Sequence, residues 1–359
     1  MTYSFRLLTL VTAFFVINCG ANSRNNSDQS LTDDYSARID SLIQTEYPRK
    51  FNGVIFITKN EEIKYVKAYG YSDFEGETQI SLNDNFRIQS NSKQITAVLI
   101  LKEVENGSIN LDSPISTYLS EFEQPWADSI TVHQLLNMSS GIIGLNEPLA
   151  FEPGTDYRYS NSSYSLLGRI LHSVTGKTYT RLANDLFKEL GMHNTYCYEF
   201  GENQKSLING YLNSKDGYQL VDFYSRGITP DGWTDFIPAG GIISNAHDLN
   251  VWDHHLHSGN ILRHETYTQM INYSIKGQHA AFGEDKIGYG YGLRIDKSKP
   301  TTIIGHAGKG IGFVNTKLYV PKNKLSIIVL ENIYDEDPDI VYHFEREIKN
   351  IVMSSNLVK

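Results

Sequence analysis

Ser90 and Lys93 are the first pair of residues whose types and spacing could do chemistry. They belong to Ser90-Asn91-Ser92-Lys93, an S-x-x-K tetrad at the start of an apolar stretch with helical spacing. Residues three apart share one face of a helix, so the lysine amine can reach the serine hydroxyl. A desolvated lysine has a lowered pKa and can act as the base that activates a serine. The pair predicts a serine nucleophile for acyl transfer; the alternative is a polar first turn capped by Ser90.

A short strand followed by a helix is predicted to hold this pair. The segment from Phe86 to Val104 begins with strand-like residues, and its later apolar residues form one stripe at helical spacing. Gly107 stands where the C-terminal cap of the helix belongs. The N-terminus of such a helix directs free N–H groups and positive potential toward Ser90. An anion that forms there during a reaction would be stabilised.

Strands are predicted at both ends of the domain, with helices between them. Residues 51–71 have the pattern of a hairpin with a polar turn at 59–62, and residues 111–191 are predicted to be mostly helical. Short strand-like runs follow between 289 and 330, and a last helix is predicted at about 340–353. This order predicts an α/β fold of the α+β type. An antiparallel sheet formed from both ends of the chain is flanked by helices, and a mainly helical lobe is inserted.

The N-terminal residues resemble an export signal. Arg6 precedes an apolar stretch at 7–17, which is too short to span a bilayer but suits the core of a signal peptide. The stretch runs into Val16-Ile17-Asn18-Cys19-Gly20, which resembles a bacterial lipoprotein cleavage box with Asn18 before the cysteine. In such a box the cysteine becomes the lipid-bearing first residue of the mature protein. The alternative is an ordinary secretory leader from which Cys19 is removed.

These features predict three segments. Residues 1–18 would be a signal peptide, residues 19–34 a lipid anchor with a flexible tether, and residues 35–353 the folded catalytic domain. The protein is therefore expected to be exported and to be a membrane-anchored lipoprotein of the bacterial cell envelope.

Composition and charge narrow the classes of partner. The formal net charge is −9 and no basic run interrupts it, so we expect no nucleic-acid partner. Cys19 and Cys197 are the only cysteines, which provides neither a disulfide framework nor a cysteine-based metal site. His247, Asp253, His254, His255 and His257 cluster along one predicted helix. No second ligand group with metal spacing accompanies them, so a polar helix surface is expected and no metal.

The stretch FRIQSNSKQITAVLILKEVENGSINLDSPISTYL is similar to the nucleophile segment of class C β-lactamases, bacterial DD-peptidases and related esterases. The resemblance continues, in the family's order, through TVHQLLNMSSGI, EPGTDYRYSNSSYSLLGRILHSVTGK, PAGGIISNAHDL, GYGYGLRI and GHAGKGIGF. It covers roughly Phe51 to Asn332. It implies a β-lactamase/transpeptidase-like fold, an acylated Ser90 activated by Lys93, and no cofactor.

The resemblance also assigns the family's Y-x-N element to Tyr159-Ser160-Asn161. In the family the tyrosine moves the proton between nucleophile and leaving group, and the asparagine binds the substrate amide. Tyr211-Leu212-Asn213 matches the same triplet, but only Tyr159 follows a Pro-Gly-Thr turn and precedes an amphipathic helix. The alternative is a buried tyrosine beside a turn asparagine.

A third family element, K/H-x-G, is matched by His306-Ala307-Gly308. The resemblance implies that these residues bind substrate and that the backbone N–H groups of Ser90 and Lys309 form the oxyanion hole. Only this triplet lies between strand-like runs with glycines that let substrate approach the backbone. The bare pattern also occurs at three other places, beginning at Lys215, His257 and Lys286.

The sequence therefore predicts a serine hydrolase that forms an acyl-enzyme on an amide or ester. The substrate would be a small molecule or short peptide: a D-amino-acid peptide, an ester or, with less support, a β-lactam. β-Lactam hydrolysis is disfavoured because His306-Ala307 replaces the Lys-Thr of class C β-lactamases. The lipid anchor would make the membrane a second partner. The alternative is a non-hydrolytic binding lipoprotein of the cell envelope that retains the fold.

Overall fold

The structure is a computed structural model that describes Met1 and residues 33–200, 206–223, 227–298 and 300–359. The predicted signal peptide, Cys19 and almost all of the predicted tether lie outside the described residues. Asp34–Lys359 is one compact unit.

The described helices and strands are numbered in chain order. The helices are α1 (Ser36–Ile43), α2 (Ser92–Glu105), α3 (Val132–Leu136), α4 (Asn161–Thr175), α5 (Tyr179–Glu189), α6 (Pro230–Gly240), α7 (Ala246–His257), α8 (His264–Met270) and α9 (His343–Met353). The strands are β1 (Gly53–Lys59), β2 (Glu62–Tyr69), β3 (Tyr71–Asp73), β4 (Thr78–Gln79), β5 (Phe86–Arg87), β6 (Tyr196–Cys197), β7 (Tyr211–Ser214), β8 (Gly217–Leu220), β9 (Ile242–Ser244), β10 (Ile275–His279), β11 (Gly283–Tyr289), β12 (Arg294–Asp296), β13 (Ile303–Gly310), β14 (Phe313–Val320), β15 (Leu325–Glu331) and β16 (Ile333–Tyr334).

An eight-stranded antiparallel sheet is formed from both ends of the chain. Its order is β10-β11-β12-β13-β14-β15-β1-β2, so the N-terminal hairpin adds to six strands from the C-terminal region. β1 and β15 read as almost continuous apolar runs because both faces of the sheet are covered. The predicted α+β architecture is confirmed.

Each face of the sheet packs against helices. On one face Ile55 of β1 belongs to a core cluster with Ile39 of α1 and Phe344 of α9. On the other face Val54 and Phe56 belong to the larger core of the helical lobe. Successive residues of β1 therefore bury opposite faces, as the pleat of a strand requires.

α2 is the central helix of this larger core. The sequence predicted one apolar stripe, but every residue from Ser92 to Leu101 is buried. The prediction of a single stripe was wrong because α4, α5, α6 and α8 all pack against the helix. Polar side chains near its start are therefore buried as well, and each needs a partner inside the protein.

Two other sequence predictions need correction. Residues 111–191 contain α3, α4 and α5, but long segments between Leu111 and Ser160 are loops, so the region is less helical than predicted. The first of the strand-like runs, from Tyr289 to Ile295, is divided by a turn between β11 and β12. Gly292 has φ +65° there, and a Cβ at that position would lie 2.5 Å from the Lys93 carbonyl oxygen. The chain must turn where it passes so close to α2.

Candidate active site

Ser90 lies in a tight turn between β5 and α2. Gln89, Ser90 and Asn91 form a single 3₁₀ turn, and Gln89 has φ +49°, a left-handed conformation that costs energy for a residue with a side chain. The Gln89 side chain donates a hydrogen bond of 2.7 Å to the carbonyl oxygen of Gly310 in β13. This hydrogen bond holds the nucleophile turn (Gln89–Asn91) against the end of β13. Ser90 itself is half-buried.

Lys93 is buried one helical turn from Ser90, as its spacing predicted. Its Nζ donates to Asn161 Oδ1 at 2.8 Å and to the carbonyl oxygen of Ala239 at 2.6 Å, and it lies 3.2 Å from Ser90 Oγ. Both oxygen partners can only accept hydrogen bonds. A neutral amine has two N–H groups for them and keeps a lone pair that can accept the proton of the serine hydroxyl.

The electrostatic surroundings favour this neutral amine. Burial lowers the pKa of Lys93 well below its ordinary value of 10.5, and the nearby positive charge of Arg294 lowers it further. Within the described parts of the chain, no carboxylate forms an ion pair with Lys93. Lys93 can therefore act as a base toward Ser90.

Tyr159 places a phenol beside the same centre. The Lys93 Nζ lies 4.8 Å from the centroid of the Tyr159 ring. The Tyr159 hydroxyl is buried and interacts with the Ser90 side chain. Burial raises the pKa of Tyr159 above 10, although Ser90 and Arg294 both oppose that shift. The phenol is therefore held in its protonated form with a proton to give to an incoming group.

Asn161 joins this group from the first residue of α4. Ser160 is the N-cap and accepts a hydrogen bond from the Ser163 N–H, which fixes where the helix begins. Asn161 is exposed apart from the Oδ1 that accepts from Lys93. Its role in binding a substrate amide stays a prediction.

The His306–Gly308 triplet lies on β13 against the nucleophile turn. His306 is fully buried, with Nε2 3.1 Å from the Tyr289 hydroxyl and Nδ1 2.7 Å from the carbonyl oxygen of Ala307. Burial holds the pKa of His306 well below 6.5, and the positive charge of Arg294 lowers it further. The imidazole is therefore neutral. A direct contact of His306 or Ala307 with substrate stays a prediction.

Gly308 explains how close β13 comes to Ser90. A Cβ at position 308 would lie 2.7 Å from both the Gln89 Cβ and the Ile88 carbonyl oxygen. Only glycine fits at that separation. Lys309 follows and is exposed. The oxyanion hole formed by the N–H groups of Ser90 and Lys309 stays a prediction.

Arg294 on β12 is a residue of the site that the sequence analysis did not single out. Its side chain is 1% exposed, and one N–H donates to the Tyr157 hydroxyl at 3.0 Å. Its guanidinium lies 5.3 Å from the Tyr289 ring centroid and 5.9 Å from that of Tyr159. Nε and Nη1 have no hydrogen-bond partner among the described residues. An uncompensated positive charge therefore lies beside Lys93 and Tyr159.

The C-terminal end of α6 is a second element that the sequence analysis missed. The last carbonyls of a helix have no partner inside it. Here Ala239 accepts from Lys93, and Pro238 accepts from the Thr96 hydroxyl at 2.6 Å. The PAGG block was recognised as part of the resemblance, but its backbone role depends on the packing of α6 against α2.

The histidine cluster on α7 forms ion-pair and ring contacts. Asp253 pairs with Lys317 and accepts from the Ser326 hydroxyl. The His257 ring stacks on Tyr319 with centroids 4.0 Å apart. Across the described ranges, no group of three or more His, Cys, Asp or Glu side chains is arranged to hold a metal ion.

None of the helices among the described residues is long and apolar enough to cross a membrane.

The eight-stranded antiparallel sheet and the central helix α2, which begins within the S-x-x-K tetrad, define the β-lactamase/transpeptidase fold. The chain belongs to the Beta-lactamase family, whose match spans residues 40–348, and this confirms the predicted resemblance.

Known proteins agree with this assignment. "Protein flp" of Staphylococcus aureus strain MRSA252 is 26% identical over 356 residues, which cover 89% of this chain and 68% of that protein. An octameric penicillin-binding protein homologue from Pyrococcus abyssi has a TM-score of 0.74 at 26% identity and covers 90% of this chain and 78% of that one. D-amino acid amidase from Ochrobactrum anthropi SV3, complexed with D-phenylalanine, has a TM-score of 0.75 at 21% identity. The match covers 89% of this chain and 99% of the amidase.

Proposed function

We propose that the protein is a serine hydrolase that forms an acyl-enzyme on Ser90 with an amide or ester substrate. The observation that carries this proposal is the environment of Lys93. Two carbonyl oxygens take the two N–H groups of its neutral amine, so the lone pair is left for the Ser90 hydroxyl. A binding protein has no use for such a base.

The reaction would proceed in two steps. Ser90 Oγ attacks the substrate carbonyl carbon, its proton moves to Lys93 Nζ, and the former carbonyl oxygen becomes an anion held by the N–H groups of Ser90 and Lys309. The leaving nitrogen or oxygen takes the Tyr159 proton, which Lys93 replaces, and its bond to carbon breaks. Water then attacks the acyl-enzyme with the same proton transfers in reverse, and the acid and free Ser90 are released.

Substrates that carry a carboxylate near the scissile bond are favoured by Arg294. Its buried charge has no carboxylate partner among the described residues, and an anionic substrate group would supply one. We infer as the substrate class a D-amino-acid peptide whose free carboxylate lies near the scissile bond. The D-amino acid amidase that shares the fold is named for a related class of substrate. β-Lactams are less well supported because β13 carries His306 and Ala307 where class C enzymes carry Lys-Thr.

Covalent labelling tests the nucleophile. We expect a fluorescent fluorophosphonate to label the protein and peptide mapping to place the adduct on Ser90. Ser90→Ala should lose the label and at least about a hundredfold in ester hydrolysis, with unchanged thermal unfolding. A well-folded Ser90→Ala protein that keeps more than about a hundredth of the activity would exclude Ser90 as the nucleophile. An unlabelled wild-type protein that binds D-amino-acid peptides without cleaving them would favour the binding lipoprotein.

We also propose that the protein is exported and held on the membrane of the bacterial cell envelope by a lipid on Cys19. The cleavage-box resemblance around Cys19 and the polar residues after it support this location. Metabolic labelling with a palmitate analogue should mark the wild type and not Cys19→Ala, which should be released in soluble form. A mature N-terminus mapped well beyond Cys19 would contradict the anchor.

A further inference from the structure

A cleft with a volume of about 520 Å³ lies outside the candidate active site, and its size is typical of small-molecule sites. It is bounded by the C-terminal end of α1, the residues before β1, and the ends of β2 and β3. Five aromatic side chains line it: Phe51, Tyr69, Tyr71, Phe74 and Tyr218.

The sheet register separates this cleft from the nucleophile. Gly308, which packs against the turn of Ser90, pairs with Asn315, and the row continues through Leu330 and Val54 to Ala68, which lines the cleft. Four strand spacings correspond to about 19 Å. A ligand in the cleft would therefore leave Ser90 free.

Four of the five aromatic side chains of the cleft are at least partly exposed, and only Phe51 is buried. Tyr69 and Tyr71 are each 39% exposed and lie in one cleft, and contiguous exposed apolar surface of this kind is typical of ligand-binding grooves. The Phe74 ring lies 5.7 Å from that of Tyr71 and 4.5 Å from that of Tyr218, so three rings line one wall in series.

Buried amide groups hold Tyr71 in place. The Asn52 side chain accepts from the Tyr71 N–H at 2.7 Å and donates to its carbonyl oxygen at 2.8 Å, and Asn332 donates to the same oxygen at 3.2 Å. Gly70 has φ +88°, and a Cβ there would lie 1.8 Å from Asn52 Oδ1. The backbone that presents the two tyrosines is therefore fixed before any ligand arrives, which lowers the entropic cost of binding.

The charges of the lining favour a neutral ligand over an ionic one. Lys50 is the one cation of the lining and Glu46 its one carboxylate, and their side chains pair at 2.9 Å. No unpaired cation remains there for a phosphate or carboxylate. The other polar side chains are neutral, and Gln44, Thr45 and Gln79 offer both donors and acceptors.

We propose that this cleft binds a neutral saccharide. A pyranose ring has an apolar face of C–H groups, which pack on the electron-rich faces of tyrosine and phenylalanine, and a rim of hydroxyls that hydrogen-bond to amides. The aromatic rings of the cleft match the apolar face of the sugar, and its neutral amide groups match the hydroxyls. The lining carries no net charge. The site does not depend on the proposed hydrolase activity.

Binding of two neutral oligosaccharides tests the site. Chitotetraose and cellotetraose, which differ in their acetamido groups, would be titrated by calorimetry into the full chain and into its variants. We expect at least one of them to bind, and Tyr71→Ala and Tyr69→Ala each to weaken binding roughly tenfold. Ile63→Ala is the matched control, because Ile63 is an exposed apolar residue of β2 that does not line the cleft. It should bind as the wild type does.

Three results would overturn the proposal. One is that neither sugar binds the folded wild type. Another is that binding survives both tyrosine substitutions within twofold while the variants keep wild-type thermal unfolding. The third is that acylation of Ser90 displaces the sugar, which would move the binding site to the catalytic centre. Because Ser90→Ala should bind sugar normally, failure of the hydrolase proposal and failure of this one are distinguishable.

Discussion

At the scale of single residues, the state of the Lys93 proton decides what Ser90 can do. Two of the oxygens around Nζ belong to an amide and to a backbone carbonyl, so they accept hydrogen bonds in either protonation state. Only the contact with Ser90 changes when the amine loses its proton, because Nζ can then accept the proton of the Ser90 hydroxyl. The activity of the serine should therefore depend on the titration of Lys93.

Lys93→Arg separates a base from a simple positive charge. A guanidinium stays protonated at every usable pH, so it cannot accept the Ser90 proton. We expect kcat for an ester to fall about as far in Lys93→Arg as in Lys93→Ala, by roughly a thousandfold or more. An arginine enzyme with substantial kcat would remove Lys93 from the proton pathway.

The pH profile of the wild type checks the same assignment. Because burial and Arg294 lower the pKa of Lys93, hydrolysis should rise with pH through a group that titrates below 10.5. Arg294→Met removes a positive charge that favours the neutral amine, so the rising limb should move to higher pH. An unmoved limb would mean that the titrating group is not Lys93.

Sequence reasoning found the pair of Ser90 and Lys93 because helical spacing alone brings them together. It could not find Arg294, whose importance comes from its burial beside Tyr157 and Tyr159, two tyrosines of a segment distant in the chain. Nothing in GYGYGLRI distinguishes an arginine on an exposed face of a strand from one enclosed in the site. Its partners are set by tertiary packing.

At the scale of elements, the site depends on the contact between the nucleophile turn and β13. Gln89 bonds to Gly310, the Asn91 side chain donates to Asn315 Oδ1 at 2.6 Å, and Gly308 lies directly against the turn. These contacts fix the distance between Ser90 and the strand expected to carry half of the oxyanion hole. Small changes in that distance should alter catalysis more than stability.

Gly308→Ala tests this contact. The added Cβ would meet backbone at 2.7 Å, so β13 and the turn must move apart by several tenths of an ångström. We expect kcat/KM to fall about a hundredfold and stability by roughly 1–3 kcal/mol, measured by ester hydrolysis and urea unfolding.

Gly107→Ala is the matched control for stability. Gly107 has φ +78° at the end of α2, and a Cβ there would meet nothing within 4 Å. The substitution should cost roughly 1 kcal/mol through its backbone conformation alone and leave kcat/KM unchanged. Equal losses of activity in both variants would show that general destabilisation, and not the displacement of β13, is responsible.

The strands of the N-terminal hairpin and of β14 and β15 could be predicted because their apolar residues fall between clear turns. The sequence could not predict β10, β12 or the full length of β13. β10 contains Lys276, Gly277 and Gln278, which resemble a loop, and it forms a strand because β11 pairs with it. The glycines of β13 let the nucleophile turn pack closely against the strand. They also interrupt the run of β-branched and aromatic residues from which a strand is predicted.

At the scale of the whole molecule, the two ends of the domain are joined by a buried ion cluster. Arg49, just before β1, forms a bidentate pair with Glu331 at the end of β15, with both distances 2.7 Å. It also donates to the carbonyl oxygens of Ile340 and Val341, which precede α9. One arginine thus connects the first strand, its neighbour from the C-terminal region and the last helix.

The carboxyl group of Glu345 in α9 also lies beside Arg49, at 3.7 Å. Its contact with Arg49 is longer than that of Glu331. Both of its oxygens are buried, and its carboxyl group interacts with that of Glu331. Burial and the neighbouring charge of Glu331 raise the pKa of Glu345 well above 4.5, although Arg49 opposes the shift. One cation cannot satisfy two buried carboxylates, so the folded protein holds Glu345 protonated.

This raised pKa makes stability depend on pH in a definite direction. The contribution of Glu345 is fully present below its unfolded pKa near 4.5 and is lost as pH rises through the higher pKa of the folded state. Glu345→Gln cannot ionise, so it should avoid that loss. We expect it to be roughly 1 kcal/mol more stable than the wild type at pH 8 and nearly equal at pH 5, by urea unfolding.

Glu331→Gln is the contrasting variant, because Glu331 supplies the charge that Arg49 needs. Its removal leaves a buried guanidinium without its bidentate partner and should cost about 3–5 kcal/mol at pH 8. If Glu345→Gln were destabilised as strongly as Glu331→Gln, both carboxylates would be ionised and paired in the folded protein. The two ends of the domain would then be held by a three-member ionic network, and not by a single ion pair beside a protonated acid.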